Sequence, residues 1–321
     1  MSYRLLFLVS GIVGLAVAAS IWGVHSKSVQ APPRVDESGL VSDAWHPTAQ
    51  GAMHLSQFSQ PAASIDPRAE RRKATDYQQL VNLLLPLANA SSPEAQYALA
   101  STLHYCDEML HGYFTNHSTG TARTLEDAER AYAKLPYAGL SNNMTPHLIE
   151  IYQRCHALFV DPKSLRASNN WLDRAARANN PAAIFMQADL MRQANLLKGD
   201  PQEADTARSL AIEASATGDP DAVFGMIDFV SGTDSARTPE ETGKLMSAWE
   251  LAGCERGFDC SAQSEWINAN CTSDPQCANK PTVVEELQRI YGAKFGEVQQ
   301  IAEQIGAAID SHDPNKIKKY L

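Results

Sequence analysis

The chain has 321 residues, enough to bury a large core, and its 44% apolar and 20% charged content is ordinary for a folded protein. A formal net charge of −10 argues against nucleic acid as a main partner, because gripping phosphates requires a basic face. No P-loop, dinucleotide glycine fingerprint, GxSxG elbow or HExxH pair occurs, so these signatures of nucleotide, hydrolase and zinc-protease chemistry are absent.

Residues 1–24 read as a targeting or anchoring segment. Met1 to Arg4 is short and basic, and Leu5 to Val24 carries no charge. Ala16-Val17-Ala18 places small residues where signal peptidase cuts, after a short apolar run. Alternatively, Leu5 to Val24 is an N-terminal membrane anchor: its length reaches across a ~30 Å hydrocarbon core, with Trp22 at the far interface. Either reading sends the rest of the chain out of the cytoplasm, to the periplasm or another extracytoplasmic space, anchored in the inner membrane under the second. Residues 25–65 read as a flexible linker. They contain Pro32, Pro33, Pro47 and Pro61 and no helical period, so they bury too little apolar surface to offset their ordering entropy.

Residues 66–321 read as helical. Asp66-Pro67 begins the first helix, whose Arg68, Arg71, Arg72 and Lys73 suggest a solvated face or, alternatively, a contact with anionic lipid. Leu80, Val81, Leu83, Leu84, Leu85 and Leu87 give an apolar helix that Pro86 is expected to kink. Ser92-Pro93 starts the next, with Ala95, Leu99 and Leu103 on one stripe. Residues 111–123 read as a loop. Thr124 with Asp127 resembles a capping box for a helix through Leu135. Thr145-Pro146 starts a helix carrying Ile149, Ile151, Tyr152, Leu158 and Phe159.

A regular stretch follows. Capping residues precede proline at Asp161-Pro162, Asn180-Pro181, Asp200-Pro201, Asp219-Pro220 and Thr238-Pro239, at intervals of 19, 20, 19 and 19 residues. Each pair reads as an N-cap and first helical residue, where proline's missing N–H costs nothing and its φ is already set. Two helices per ~39 residues is a period of stacked helical repeats. Finally, Thr282 to Asp310 carries an amphipathic stripe, as one long helix or as two meeting near Gly292 and Gly296. It is expected to cap the last repeat, over about 281–321; a coiled-coil contact is the alternative.

Several stretches resemble the Sel-one-like repeat, a relative of the tetratricopeptide repeat. They are Trp171-Leu172-Asp173-Arg174-Ala175-Ala176 with Asn179-Asn180-Pro181-Ala182-Ala183, then Ala95-Gln96-Tyr97-Ala98-Leu99-Ala100. Ala214 to Gly218 with Asp219-Pro220-Asp221-Ala222, and Trp249-Glu250-Leu251-Ala252-Gly253, continue the pattern. Together they cover roughly residues 75–270. The glycine usual in the second helix is Ala100 or Ala188 here. The resemblance implies an all-α fold, an α-solenoid of stacked antiparallel helix pairs, and a scaffold or adaptor role. Such a protein would bind a protein or peptide in its concave groove, without a cofactor. Trp171 and Trp249 take the repeat's aromatic position, where packing between helices is usual. These two, Trp266, and Tyr97, Tyr132, Tyr152 and Tyr291 could otherwise line the groove.

Six cysteines suit an oxidising compartment. Cys254, Cys260, Cys271 and Cys277 are separated by five, ten and five residues, which is not a zinc pattern. A helical 260–271 would hold its ends about 16 Å apart, beyond the ~7 Å that a disulfide spans. Local bridges Cys254–Cys260 and Cys271–Cys277 are then simplest, leaving Cys106 with Cys155. His104, Glu108 and His111 fall at i, i+4 and i+7, on one helix face with Asp107 nearby, and are weak metal-ligand candidates. Gly112 suggests fraying there. They carry the alternative function, a cell-envelope metal-dependent enzyme. All these chemical candidates lie outside 161–239, which suggests a spacer role for the regular segment.

Overall fold

The computed structural model describes residues 65–116, 120–122, 124–133, 145–160, 165–230, 237–271 and 281–321. The segment 1–24, the linker up to residue 64, Asp161-Pro162 and Cys277 lie outside them. Among the described residues, no helix is long and apolar enough to cross a membrane.

The described chain is helical apart from one two-residue β pairing. The helices are α1 (Pro67–Lys73), α2 (Tyr77–Asn89), α3 (Pro93–Met109), α4 (Leu125–Tyr132), α5 (Pro146–Cys155), α6 (Ser168–Arg177), α7 (Pro181–Lys198) and α8 (Pro201–Ser215). They continue with α9 (Pro220–Gly225), α10 (Ile227–Val230), α11 (Pro239–Glu255), α12 (Glu265–Asn270), α13 (Val283–Tyr291), α14 (Phe295–Asp310) and α15 (Pro314–Ile317). Strands β1 (Thr115–Asn116) and β2 (Gly120–Thr121) pair antiparallel after α3.

Local chemistry sets the helix starts. Asn180, Asp200, Asp219 and Thr238 each accept a hydrogen bond from an N–H of the first turn, with proline at the first helical position. Asp66, Ser92 and Thr145 do the same for α1, α3 and α5, and Asp313 does so for α15. Capping boxes form at Thr124–Asp127, Thr238–Glu241 and Thr282–Glu285. Pro86 sits inside α2, which runs unbroken past it. Residues 282–310 form two helices, joined by a tight turn at Gly292–Lys294.

Packing follows chain order with one excursion. α3 packs on α2 and on α6, α7 on α6 and α8, α9 on α7 and α11, and α11 on α13 and α14. The excursion holds α4 and α5, and α5 packs on both α2 and the much later α12. Small residues permit the close crossings. A Cβ at Gly225 would lie 2.2 Å from the Phe185 ring, and one at Gly253 would lie 2.6 Å from Phe224 Cβ. Two large cores result. One gathers Tyr77, Leu84, Leu99, Leu110, Phe114 and Ile151; the other gathers Phe185, Phe224, Trp249, Leu287, Val298 and Ile305. Between them, an alanine-rich seam joins Tyr97, Ala100, Leu172, Ala175, Ala182 and Ala183. Each fully buried leucine in these cores contributes about 2 kcal/mol.

The C-terminal residues are part of the second core. Ile309 and Ile317 are buried there, and the Trp249 indole N–H donates to the Tyr320 carbonyl at 3.0 Å.

Candidate functional site

Charged and phenolic groups converge where α1 meets the second half of the chain. Arg68 and Arg71, three apart on α1, share a face of that helix. Arg68 Nη2 donates to Asp219 Oδ2 at 2.5 Å, its Nη1 lies 3.6 Å from Asp221 Oδ2, and its guanidinium stands 5.8 Å from the Tyr97 ring centre. Arg71 grips both oxygens of Glu265, with Nε to Oε1 at 3.1 Å. The Tyr77 hydroxyl donates to the same Oε1 at 2.5 Å. Arg154 donates to Tyr77 Oη at 3.5 Å, to Glu150 at 2.7 Å and to the Gln263 carbonyl at 3.1 Å. Arg72 donates to the Gly257 carbonyl at 3.3 Å.

The acids are placed by helix starts. Asp219 caps α9 through Oδ1 and takes Arg68 with Oδ2. Asp221 lies in the first turn of α9, and Glu265 opens α12 behind its cap Ser264. The positive end of a helix dipole favours carboxylates at such positions. Burial works against the Arg71 charge, but Glu265, Tyr77, Tyr97 and Asp221 together outweigh it and raise its pKa. Burial and Glu265 together push the Tyr77 phenol upward, so it stays a donor. Burial also raises Asp221, with Arg68 opposing. The Tyr105 ring stands edge-on to Tyr77, 6.2 Å between centres, and its buried hydroxyl has no hydrogen-bond partner among the described residues.

This corrects two sequence expectations. The basic run is only half a solvated face: Arg68 and Arg71 are spent on internal carboxylates, while Arg72 and Lys73 stay exposed. The regular segment is also not chemically bare, since Asp219 and Asp221 belong to it. The partners lie 151 and 194 residues downstream of their arginines, so no local pattern could name them.

His104, Glu108 and His111 do not gather. His104 Nε2 lies 3.2 Å from Glu108 Oε1, while His111 Nδ1 turns to the Asp107 carbonyl at 2.8 Å and its carboxylate at 3.4 Å. The helix does not fray at Gly112; it widens into a π-helical turn over Leu110–Phe114. His111 pairs with Asp107, one turn back on the helix, and not with Glu108. Among the described residues, no group of three His, Cys, Asp or Glu side chains is placed to hold a metal ion. His104 is instead part of a polar row. Burial lowers its pKa, but the Glu108 hydrogen bond and the charges of Glu108, Asp107 and Asp189 raise it further. In the same row, Arg192 bonds Asp189 at 2.8 Å and reaches Asp228 at 3.9 Å. Burial and the Asp189 charge push Asp228 up to about 7. With 49% of that side chain still open to solvent, water screens much of this effect.

No protein-family model, curated protein or solved structure matches this chain.

Cys106 and Cys155 are bonded, with Cα atoms 5.5 Å apart, and so are Cys254 and Cys260, at 5.6 Å. The first bridge ties α3 to α5 and so pins the excursion to the main stack. Cys271 is also disulfide-bonded; Cys277, paired with it in the sequence reading, lies outside the described residues. Of the aromatic candidates, Trp249, Tyr132 and Tyr152 are buried in the cores. Trp171 lies under Arg174, at 4.6 Å, and Trp266 meets Phe224 edge-on. Tyr97 alone of these side chains faces the Arg68 cluster. An open groove of about 600 Å³ runs between α6, α7 and α8, lined by Asp173, Arg177, Ile184, Gln187, Leu210 and Glu213, apart from the charged cluster.

Proposed function

We propose that the chain is an exported scaffold or adaptor, non-catalytic, with a Sel-one-like α-solenoid architecture, that binds a protein or peptide partner. The observation that carries this reading is the α1 site. A short peptide-like segment lies across α3, α9 and α12 and is held by side chains from separate helices. Helical arrays recognise extended or helical segments with such rows of side chains. The order of packing, the helix starts at 19 to 20 residue intervals and the small residues at crossings support stacked helix pairs. Residues 281–321 then serve as the cap, consistent with Ile317 and Tyr320 closing over Trp249. The disulfides suit an oxidising compartment outside the cytoplasm, consistent with a signal peptide or anchor in residues 1–24. The alternative, a metal-dependent enzyme using His104, Glu108 and His111, gains no support from ligands that pair separately.

Crosslinking pull-down of the mature protein from its native compartment, read by mass spectrometry, tests the proposal. The expected result is one enriched partner whose crosslinks map to α3, α9 or α12 and whose capture falls at least tenfold with Glu265→Lys. Uniform background capture, unchanged by that substitution, would refute it.

A further inference from the structure

We infer that the Tyr97–Asp219–Asp221–Glu265 site is the docking site for a partner segment bearing two arginines three residues apart on a helical turn, and that α1 is its built-in, displaceable occupant. This rests on the partner-binding reading above and gives that partner its chemistry. Two features point to arginine. Glu265 takes Arg71 in a two-pronged contact that a lysine ammonium cannot reproduce, and Arg68 lies near the Tyr97 ring face as well as Asp219. The acids are more than a solvated cluster. Tyr77 donates into them, and the ring of Tyr105, whose buried hydroxyl has no hydrogen-bond partner among the described residues, stands edge-on to Tyr77.

Displacement follows from how α1 is held. It has seven residues, of which only Pro67 is buried. A helix that short does not persist alone in water. Its contacts are mainly ion pairs, whose mutual attraction is largely offset by the cost of stripping water from both charges. When α1 leaves, the carboxylates and guanidiniums rehydrate together, and of this end of the described chain only Ala74 is packed on a hydrophobic core. Such a segment belongs to the least stable part of a fold. Its tether through Ala74 and Thr75 to α2 gives it an effective concentration on the order of millimolar, which a foreign segment must exceed.

The test uses a labelled synthetic peptide of residues 65–75 and the full chain, by fluorescence anisotropy. Arg68→Ala/Arg71→Ala protein is expected to bind the peptide at least tenfold more tightly than wild type, because the tethered competitor is gone. A peptide with lysine at both arginine positions should bind at least tenfold more weakly. Adding Glu265→Gln to the variant should abolish binding. Equal binding by wild type and variant, or no binding by a variant of native helix content and melting temperature, overturns the inference. Should the variant fail to fold, hydrogen exchange on the wild type decides. Amides of Glu70 to Ala74 are expected to exchange at least a hundredfold faster than those of Leu99 to Leu103, and equal protection overturns the inference. A doubled mass when variant and wild type are mixed identifies the occupant as a second copy and overturns the foreign partner. A crosslinked partner whose capture survives Glu265→Gln removes this inference and leaves the scaffold reading standing. Peptide binding as expected, with no partner captured, does the reverse.

Discussion

Gly253 in α11 is the position where one methyl group should do most damage. Its Cβ would lie 2.6 Å from Phe224 Cβ, 2.8 Å from Phe224 Cα and 3.0 Å from Phe224 N, in α9. Comfortable carbon contacts lie near 3.5–4.0 Å, so the two helices must part by about 1 Å. A rotamer change cannot relieve this, because two of the three atoms are backbone. Phe224 is also held in place, stacked on Phe258 at 3.8 Å and edge-on to Trp266. Overpacking of this kind costs about 1–3 kcal/mol, and backbone contact favours the upper end. Against it, alanine is better than glycine inside a helix by about 1 kcal/mol. The expected net loss for Gly253→Ala is about 2 kcal/mol, or roughly 4–8 °C in melting temperature for a domain of this size. Urea and thermal unfolding followed by circular dichroism measure it. Gly306→Ala is the matched control: it is also helical, and its nearest neighbour is the flexible tip of Arg256 at 3.8 Å. That substitution should stabilise by about 0.5–1 kcal/mol. If Gly253→Ala raises the midpoint as Gly306→Ala does, the close approach of α9 and α11 is wrong.

Three further outcomes are expected. Cys106→Ala/Cys155→Ala opens a cross-link of sequence separation 49, and Cys254→Ala/Cys260→Ala one of separation 6. Chain-entropy arithmetic gives losses of about 4 and about 2 kcal/mol respectively, so denaturation midpoints should fall in that order; the reverse order would contradict it. His104 should titrate above the ordinary histidine value by NMR, and Glu108→Gln should bring it down. Because its folded pKa is raised, its contribution to stability is present below about pH 6.5 and fades as pH rises through the folded value. A His104 titration that ignores Glu108→Gln would remove the pair. Ile317→Ala, at a fully buried position of α15, should cost about 2–5 kcal/mol. A silent substitution there would mean that the C-terminal segment does not close over Trp249.

The candidate site was only partly legible. Tyr97 could be singled out as an aromatic on a repeat helix, and Asp219 as a helix cap, because both follow local rules. Their meeting with Arg68 could not. Arg71 and Glu265 are 194 residues apart, and an arginine on a short helix looks solvated unless its distant partner is known. The His104 stripe shows the opposite error. Spacing of three and four residues places side chains near one face but does not choose their partners: His104 takes Glu108, and His111 turns to Asp107.

What the sequence by itself determined is local. Proline behind Asn, Asp, Ser or Thr sets helix starts, because capping oxygens and a fixed φ act within one turn. The Cys254–Cys260 bridge follows from close spacing; the helix expected over 260–271 forms only at Glu265–Asn270, so helix geometry does not by itself exclude a longer link. Tertiary structure alone decided the rest. It brought α5 back onto α12, set Gly225 against Phe185 and Gly253 against Phe224, and laid α1 across the acids of α9 and α12. These depend on which surfaces meet across separations that run from 29 residues, Phe224 to Gly253, to 194, Arg71 to Glu265. Buried charges find partners by proximity in space, because an unpaired charge is too costly to bury, and sequence distance places no limit on that search.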